Sequence, residues 1–217
     1  MNTIWIFREP RSGSTAFSQL IASHVKKAHC FVPSEALSYF KSSPPNLHQL
    51  PDESSSIYST HEFEFLDYMK CYSDPLLIRC TRLDKAEQCL SDLFINCVNY
   101  HKPIKNRVHN INSDDDAKLS AFYIDEPIFI SKKQVIDYMS HSNRVDCCWK
   151  EKSKQYRTVT VYYEDLCNGI DIPELDFFNC KIDASSPTKK LPNYKSHSIM
   201  NESAIREWVA ELSQNSG

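Results

Sequence analysis

The chain has 217 residues, a formal net charge of −3 at pH 7 and 41% hydrophobic residues. This length suits one domain of ordinary size, which buries enough surface to fold without disulfide bonds or other covalent cross-links. The slightly acidic balance gives no support for general nucleic-acid binding, which needs an excess of Lys and Arg. No apolar run approaches the roughly 18 residues of a membrane span, and the first apolar run begins close to Met1. We therefore expect a cytoplasmic protein without signal peptide or membrane span.

The chain contains nine cysteines, which raises the question of disulfides or a metal site. The count is odd, no C-x-x-C spacing occurs, and several cysteines lie inside apolar segments. These features favour reduced thiols in the core. The cysteines are Cys30, Cys71, Cys80, Cys89, Cys97, Cys147, Cys148, Cys167 and Cys180.

The most informative segment joins the first two predicted elements. The apolar run 4–7 predicts a buried strand, and the amphipathic segment 14–25 predicts a helix. A strand, a tight loop and a helix N-terminus form a pocket for an anion, because backbone N–H groups and the helix dipole face it and glycine lets the backbone close around it. The alternative is that the turn only caps a helix. The predicted phosphate-binding residues of the loop are Arg11, Ser12, Gly13, Ser14 and Thr15.

The loop sequence Pro10-Arg11-Ser12-Gly13-Ser14-Thr15 departs from the nucleoside triphosphatase pattern G-x-x-x-x-G-K-[ST], because it lacks the Gly-Lys pair and the second glycine. A kinase is therefore disfavoured. The loop resembles the 5′-phosphosulfate-binding loop of sulfotransferases that use 3′-phosphoadenosine-5′-phosphosulfate (PAPS), whose members often contain P-R-S-G-S-T. The resemblance implies a P-loop-like α/β fold, PAPS as cofactor without a metal, and Arg11 as the residue that neutralises the leaving phosphate.

Two residues are candidates for the base that removes the acceptor proton. Glu35, in Val32-Pro33-Ser34-Glu35, resembles the P-x-E glutamate of the carbohydrate sulfotransferases; the alternative is a favourable charge in the first turn of a helix. His61 follows the predicted strand 57–60 and resembles the histidine of the K-T-H motif in cytosolic sulfotransferases, although the lysine of that motif is absent. The alternative for His61 is a surface position at a strand end.

A second anion site is predicted after the apolar strand 75–80. Arg82 follows the end of this strand, and Ser91 lies nine positions later on a predicted helix. Parallel sheets offer two separated anion sites at the carboxyl ends of two strands. The R-x-D-K-x-x-Q-x-x-S spacing resembles the 3′-phosphate motif of the family, and is most similar to the bacterial carbohydrate branch typified by trehalose 2-sulfotransferase.

Two further matches lie later in the chain. The strand 158–163 is followed by Glu164-Asp165-Leu166, which resembles the Y-E-D-L that follows a late core strand in many sulfotransferases; we interpret both carboxylates as structural caps. The basic stretch 189–197 has the position of the loop that closes the 3′-phosphate end of the cofactor in the family. A solvated charge cluster is the alternative. The candidate residues of this stretch are Lys189, Lys190 and Lys195.

Strands that alternate with helices predict a single α/β domain with a mostly parallel sheet covered by helices on both faces. Further helices are predicted over 131–154 and 201–213, and the segments 36–56 and 100–130 are expected to form a lid or to bind the acceptor. The resemblance implies transfer of a sulfuryl group to a hydroxyl of a carbohydrate or small metabolite. The alternatives are a nucleotide or phosphate transferase on a similar loop, and an inactive nucleotide-binding module.

Overall fold

The structure, a computed structural model, is built around a parallel sheet. It describes residues 4–25, 28–31, 56–61, 75–100, 127–173, 178–180 and 199–214. The five strands of the sheet have the spatial order β2-β3-β1-β4-β5, and every neighbouring pair is parallel. The all-parallel sheet confirms the predicted α/β class. The strands are β1 (Ile4–Arg8), β2 (Ala28–Phe31), β3 (Ser56–Thr60), β4 (Leu76–Thr81) and β5 (Arg157–Tyr162).

Five helices and a small antiparallel pair of strands complete the described elements. Helix α1 occupies the 12 residues predicted from the apolar periodicity, and the two long later helices lie within two residues of their predicted bounds. The helices are α1 (Ser14–Val25), α2 (Lys85–Tyr100), α3 (Lys132–Lys152), α4 (Tyr163–Asn168) and α5 (Glu202–Gln214), and the antiparallel pair is β6 (Ile170–Ile172) with β7 (Phe178–Cys180).

The chain divides into two compact units. The first contains residues 1–83 and 145–183, and the second contains residues 84–144 and 184–217. The sheet, α1 and α4 belong to the first unit, and α2 and α5 belong to the second. The single domain expected from the sequence stays a prediction.

The first unit has an apolar core on its central strands. Every residue of β1 and β4 is buried, which accounts for the near-continuous apolar runs in their sequences. Two charged residues interrupt these runs, Arg8 at the end of β1 and Arg79 in the middle of β4. The core residues are Ile4, Ile6, Phe17, Ile21, Ile57, Leu76, Ile78, Cys80, Val161, Leu166 and Ile172.

The second unit has a separate core made by the apolar faces of its helices. Helix α5 packs an apolar stripe into this core, because Ile205 and Val209 are buried and Trp208 and Leu212 pack against the same cluster. Asn201 precedes this helix, and its side-chain amide exchanges two hydrogen bonds with the backbone of Ile130. The cluster comprises Cys89, Leu90, Leu93, Phe94, Ile95, Ile130, Val135, Met139, Ile199, Ile205 and Val209.

The strand order creates a point where the direction of winding reverses. After β1 the chain proceeds to β2 and β3 on one side of it, and then crosses to β4 and β5 on the other side. In open α/β sheets, ligands bind beyond the carboxyl ends of the strands at such a point, because the following segments diverge and leave a crevice. The segments that follow β1 and β4 are those predicted to bind anions.

Several predicted segments lie outside the described residues. They include the helices that the sequence also predicts at 35–40 and 62–72, all of the loop predicted at 42–56 except Ser56, the polar segment 102–116, and most of the two segments expected to form a lid or to bind the acceptor. In the ranges that the structure does describe, no helix combines the length and apolar character needed to cross a bilayer. The cytoplasmic location stays a prediction.

The six cysteines whose side chains the structure describes carry free thiols, and two of them, Cys80 and Cys89, are buried as the sequence predicts; Cys97, Cys148 and Cys167 are half-buried and Cys147 is exposed. Burial and the nearby Asp92 raise the pKa of Cys89 from 9.0 to about 12. Above pH 9 the unfolded chain therefore releases this proton while the folded chain retains it. The stabilisation that Cys89 gives the folded chain is complete below pH 9. It is lost as the pH rises from 9 towards the pKa that Cys89 has in the folded chain.

We predict that the free energy of unfolding falls more steeply with pH in the natural chain than in Cys89→Ala between about pH 9 and about pH 11. One such thiol changes this slope by up to about 1.4 kcal/mol per pH unit. Urea unfolding at a series of pH values under reducing conditions measures it. Cys147→Ala removes an exposed thiol and is the matched control. Equal slopes for Cys89→Ala and the natural chain would contradict the prediction.

Candidate anion site

The turn after β1 holds its backbone in an unusual conformation. The Ser12 amide donates to the Glu9 carbonyl oxygen at 3.3 Å, which closes a four-residue turn with Pro10 and Arg11 at its centre. Arg11 has a φ of 60°. A proline followed by a residue with positive φ defines a type II turn, in which glycine is usual at the Arg11 position. A non-glycine residue in this region carries strain of order 1–3 kcal/mol, and such strain concentrates at functional sites.

Gly13, two residues after Arg11, also has a positive φ, of 71°. A Cβ atom at this position would lie 2.3 Å from Cδ2 of Tyr163, so the ring of Tyr163 covers the Gly13 backbone. Glycine is therefore required here by its conformation and by packing against another part of the protein. The loop is therefore packed against another part of the first unit.

Helix α1 begins directly after Gly13, and the Phe17 amide donates to the Gly13 carbonyl oxygen at 3.1 Å. The first amides of a helix have no intrahelical acceptor, and they face an incoming anion together with the positive end of the helix dipole. The first turn of α1 contains no acidic residue. Two of the predicted hydroxyls, Ser14 and Thr15, lie in this turn, and both accept a hydrogen bond from the Arg8 side chain.

A buried charged network lies beside the turn. Glu9 is 5% exposed, and its carboxylate accepts hydrogen bonds from Arg79 Nε at 2.5 Å and from Thr81 Oγ1 at 2.7 Å. Arg79 also pairs with Asp146, and its guanidinium lies 5.9 Å from the ring centroid of Trp149. Although burial opposes it, Glu9 and Asp146 hold the pKa of Arg79 above its ordinary value. The network neutralises a carboxylate that would otherwise repel an anion at this edge.

Arg82 is joined to the loop through Tyr163. Its guanidinium carbon lies 4.4 Å from the centroid of the Tyr163 ring, the same ring that covers Gly13. This distance is typical of a cation–π interaction. Burial, with a contribution from Cys167, raises the pKa of Tyr163 to about 12, so the phenol stays neutral at physiological pH. One aromatic ring thus contacts both a residue of the predicted 5′ loop and the arginine predicted to bind the 3′-phosphate.

Glu164 binds the backbone directly after Arg82. Its carboxylate accepts the backbone N–H of Leu83 at 3.0 Å, one residue after Arg82. From the sequence we interpret this carboxylate as a structural cap at the start of its own helix. Its partner, however, is the chain after β4 rather than the start of its own helix, and no side-chain hydrogen bond caps α4 at Tyr162.

His61 follows β3 and lies next to the end of β1. Its Nδ1 is 2.5 Å from the carbonyl oxygen of Arg8. Because a carbonyl oxygen only accepts, Nδ1 carries the proton and donates it. In the neutral ring, Nε2 is then the basic nitrogen, which is the tautomer that a general base uses.

The structure therefore brings together Arg11, Gly13, Arg82 and His61 at the carboxyl edge of one sheet. Ser91 is buried on α2, in the second unit, and its pairing with Arg82 stays a prediction. Glu35, Lys189, Lys190 and Lys195 lie outside the described residues. Among the predicted donors of the loop, Ser12 directs both its amide and its hydroxyl to the Glu9 carbonyl oxygen.

Four residues of this edge were missed by the sequence analysis. Arg8 and Arg79 interrupt apolar strands, and a charge in a predicted buried strand requires a buried partner, so both could have been flagged. Glu9 is the matching carboxylate at the end of the neighbouring strand. Tyr163 gave no signal of its own, because its role depends on two contacts that are distant in sequence.

Comparison with known proteins found no family model, no curated protein and no solved structure that matches this chain significantly. Within the described ranges, His, Cys, Asp and Glu side chains form no group that could hold a metal ion. We therefore infer the function from the geometry of the loop, Tyr163 and Arg82.

We predict that Gly13→Ala lowers the free energy of unfolding by about 2–4 kcal/mol, because positive φ and overlap with Tyr163 act together. Gly169 is the matched control, since it also has a positive φ, of 98°, but no atom lies within 4 Å of its added Cβ. Gly169→Ala is expected to lower it by only about 1 kcal/mol. Urea unfolding compares the two. A loss no larger for Gly13→Ala than for Gly169→Ala would show that Tyr163 does not constrain the loop.

Proposed function

We propose that this protein is a sulfotransferase that moves a sulfuryl group from PAPS to a hydroxyl acceptor. The observation that carries the proposal is the contact of one ring, that of Tyr163, with both Gly13 and Arg82. It links a loop at a helix N-terminus to a second cation at the end of the neighbouring strand. A ligand with phosphate groups at two ends, such as PAPS, suits this pair of sites.

The charge distribution supports an anionic ligand at this edge. Glu9 and Asp146 are both paired with Arg79, and Glu164 accepts a backbone amide. Arg8 adds a second buried cation beside the loop. Two buried arginines thus balance the two carboxylates of the network, and Arg11 and Arg82 follow β1 and β4 at the same edge. Charge-assisted hydrogen bonds from arginine to phosphate are among the strong interactions of binding sites.

Each part of the site has a distinct task in this proposal. PAPS supplies the activated sulfuryl group. Arg11 and the first amides of α1 hold the 5′-phosphosulfate end and neutralise the charge that develops on the leaving phosphate. Arg82 binds the 3′-phosphate, and Tyr163 keeps Arg82 beside the loop. In this proposal the site binds and orients PAPS and neutralises the charge that develops on it. Catalysis by positioning needs these contributions.

The base of the reaction is assigned to His61 in this proposal, with Glu35 as the alternative. Nε2 of His61 is the nitrogen able to take the acceptor proton, because Nδ1 donates to Arg8. This backbone contact also fixes the ring beside the strand that leads into the loop. The support for Glu35 is its resemblance to the P-x-E glutamate of the carbohydrate sulfotransferases.

The first experiment combines transfer and binding. We predict that the natural chain transfers labelled sulfate from PAPS to a member of a panel of sugars, phenols, lipids and peptides without added metal or ATP. Arg82→Ala should weaken binding of 3′-phosphoadenosine-5′-phosphate (PAP) roughly 10- to 100-fold, because it removes charge-assisted bonds. Binding of adenosine-5′-phosphosulfate, which lacks the 3′-phosphate, should change by less than about twofold. Calorimetry measures both affinities.

Arg157→Ala is the matched control, since Arg157 is an exposed arginine at the opposite, amino end of β5. Equal losses for the two nucleotides in Arg82→Ala would remove Arg82 from the 3′ site. Metal-dependent turnover of ATP would favour a phosphate transferase instead. Tight binding of PAP without transfer to any acceptor would indicate a nucleotide-binding module.

We predict that His61→Gln lowers turnover roughly 10²- to 10⁴-fold while PAP affinity changes little, because glutamine keeps polarity but cannot take a proton at neutral pH. Glu35→Gln, assayed with the same acceptor, is the comparison. A larger loss for Glu35→Gln would move the role of base to Glu35, and near-normal turnover in both would exclude both residues as the base.

A further inference from the structure

Arg8 contacts two hydroxyl groups of α1, and these contacts have no role in the mechanism proposed above. It is the last residue of β1 and is 8% exposed. Its Nε donates to Ser14 Oγ at 3.2 Å, and its Nη2 donates to Thr15 Oγ1. One buried guanidinium therefore binds two of the hydroxyl groups in the first turn of α1.

These contacts determine which way the hydroxyl protons are directed. A guanidinium only donates, whereas a hydroxyl has one proton to donate and two lone pairs that accept. Because Ser14 and Thr15 accept from Arg8, neither can direct its own proton to that partner. Each proton is then available to another acceptor on the α1 side of the loop. Ser12 differs, because its hydroxyl donates to the Glu9 carbonyl oxygen at 2.7 Å.

We propose that Arg8 is a positioning residue, which orients the hydroxyl protons of Ser14 and Thr15 toward a tetrahedral oxyanion bound at the start of α1. This inference rests on the proposed function only in that an oxyanion is bound at the loop. It assigns the hydroxyls of Ser14 and Thr15 to the ligand and assigns that of Ser12 to the turn. A hydroxyl whose lone pair is already engaged by a cation is also a stronger donor, because hydrogen bonds in a chain polarise one another.

A double-mutant cycle tests this coupling with inorganic pyrophosphate and PAP as probes. Thr15→Val and Ser14→Ala each remove one hydroxyl, and Arg8→Met replaces the guanidinium by an unbranched apolar chain. In the natural background, each hydroxyl variant should weaken binding roughly tenfold, as expected for a hydrogen bond to a charged group. In the Arg8→Met background, the same changes should weaken binding by less than about twofold, because interacting groups are not additive.

Two further variants keep the test decisive. Arg8→Lys retains a donor-only cation, so at least one hydroxyl variant should keep its full effect in that background, and this cycle also serves if Arg8→Met does not fold. Ser12→Ala is the matched hydroxyl control and should change affinity by no more than about twofold if its fold is retained. Circular dichroism and urea unfolding check the fold of each variant.

The outcomes separate this inference from the proposed function. Additive losses, with equal hydroxyl effects in the Arg8 and Arg8→Met chains, overturn the role of Arg8 even if sulfate transfer is observed. Coupled losses for pyrophosphate, without PAP binding or transfer, support the role of Arg8 and overturn the sulfotransferase. Absence of binding to both probes in the natural chain overturns the inference.

Discussion

The buried ion pair between Glu9 and Arg79 is the interaction on which the site depends. It joins the residue that begins the turn after β1 to the middle of β4, across the point where the sheet reverses its winding. Thr81 and Asp146 complete the hydrogen bonding of the two charges. A buried carboxylate without such partners would be strongly unfavourable, and it would repel an anion. The pair thus fixes the first residue of the loop and removes an opposing charge.

Two positive φ values then determine the path of the loop. Arg11 at 60° and Gly13 at 71° turn the chain from the end of β1 into α1 within five residues. The Tyr163 ring covers Gly13, so packing there adds to the conformational requirement. Glycine would adopt the positive φ of Arg11 with less strain. In the proposed function an arginine occupies this position because its guanidinium binds the ligand. Tyr163 extends this arrangement to Arg82, and a single aromatic side chain therefore connects two predicted anion-binding groups.

Much of the fold could be predicted because local patterns and tertiary packing agree. The apolar runs of β1 and β4 are long enough to show burial on both faces, and the period of α1 and α5 marks the faces that pack inward. The loop of the site was predictable from its glycine and its place between strand and helix. The contributions of Glu9 and Tyr163 were not, because each acts through partners that are distant in sequence.

The sequence by itself determined the α/β class, the main strands and helices, and the identity of the residues in the two segments predicted to bind anions, since these depend on periodicity and on local turn chemistry. The tertiary structure decided which groups meet. The parallel register of β1 with β4 places Glu9 against Arg79, and Tyr163, directly after β5, contacts both Gly13 and Arg82. It also decided that Ser12 serves the turn while Ser14 and Thr15 bind Arg8. Hydrogen-bond direction depends on the partner in space, and no local pattern encodes that partner.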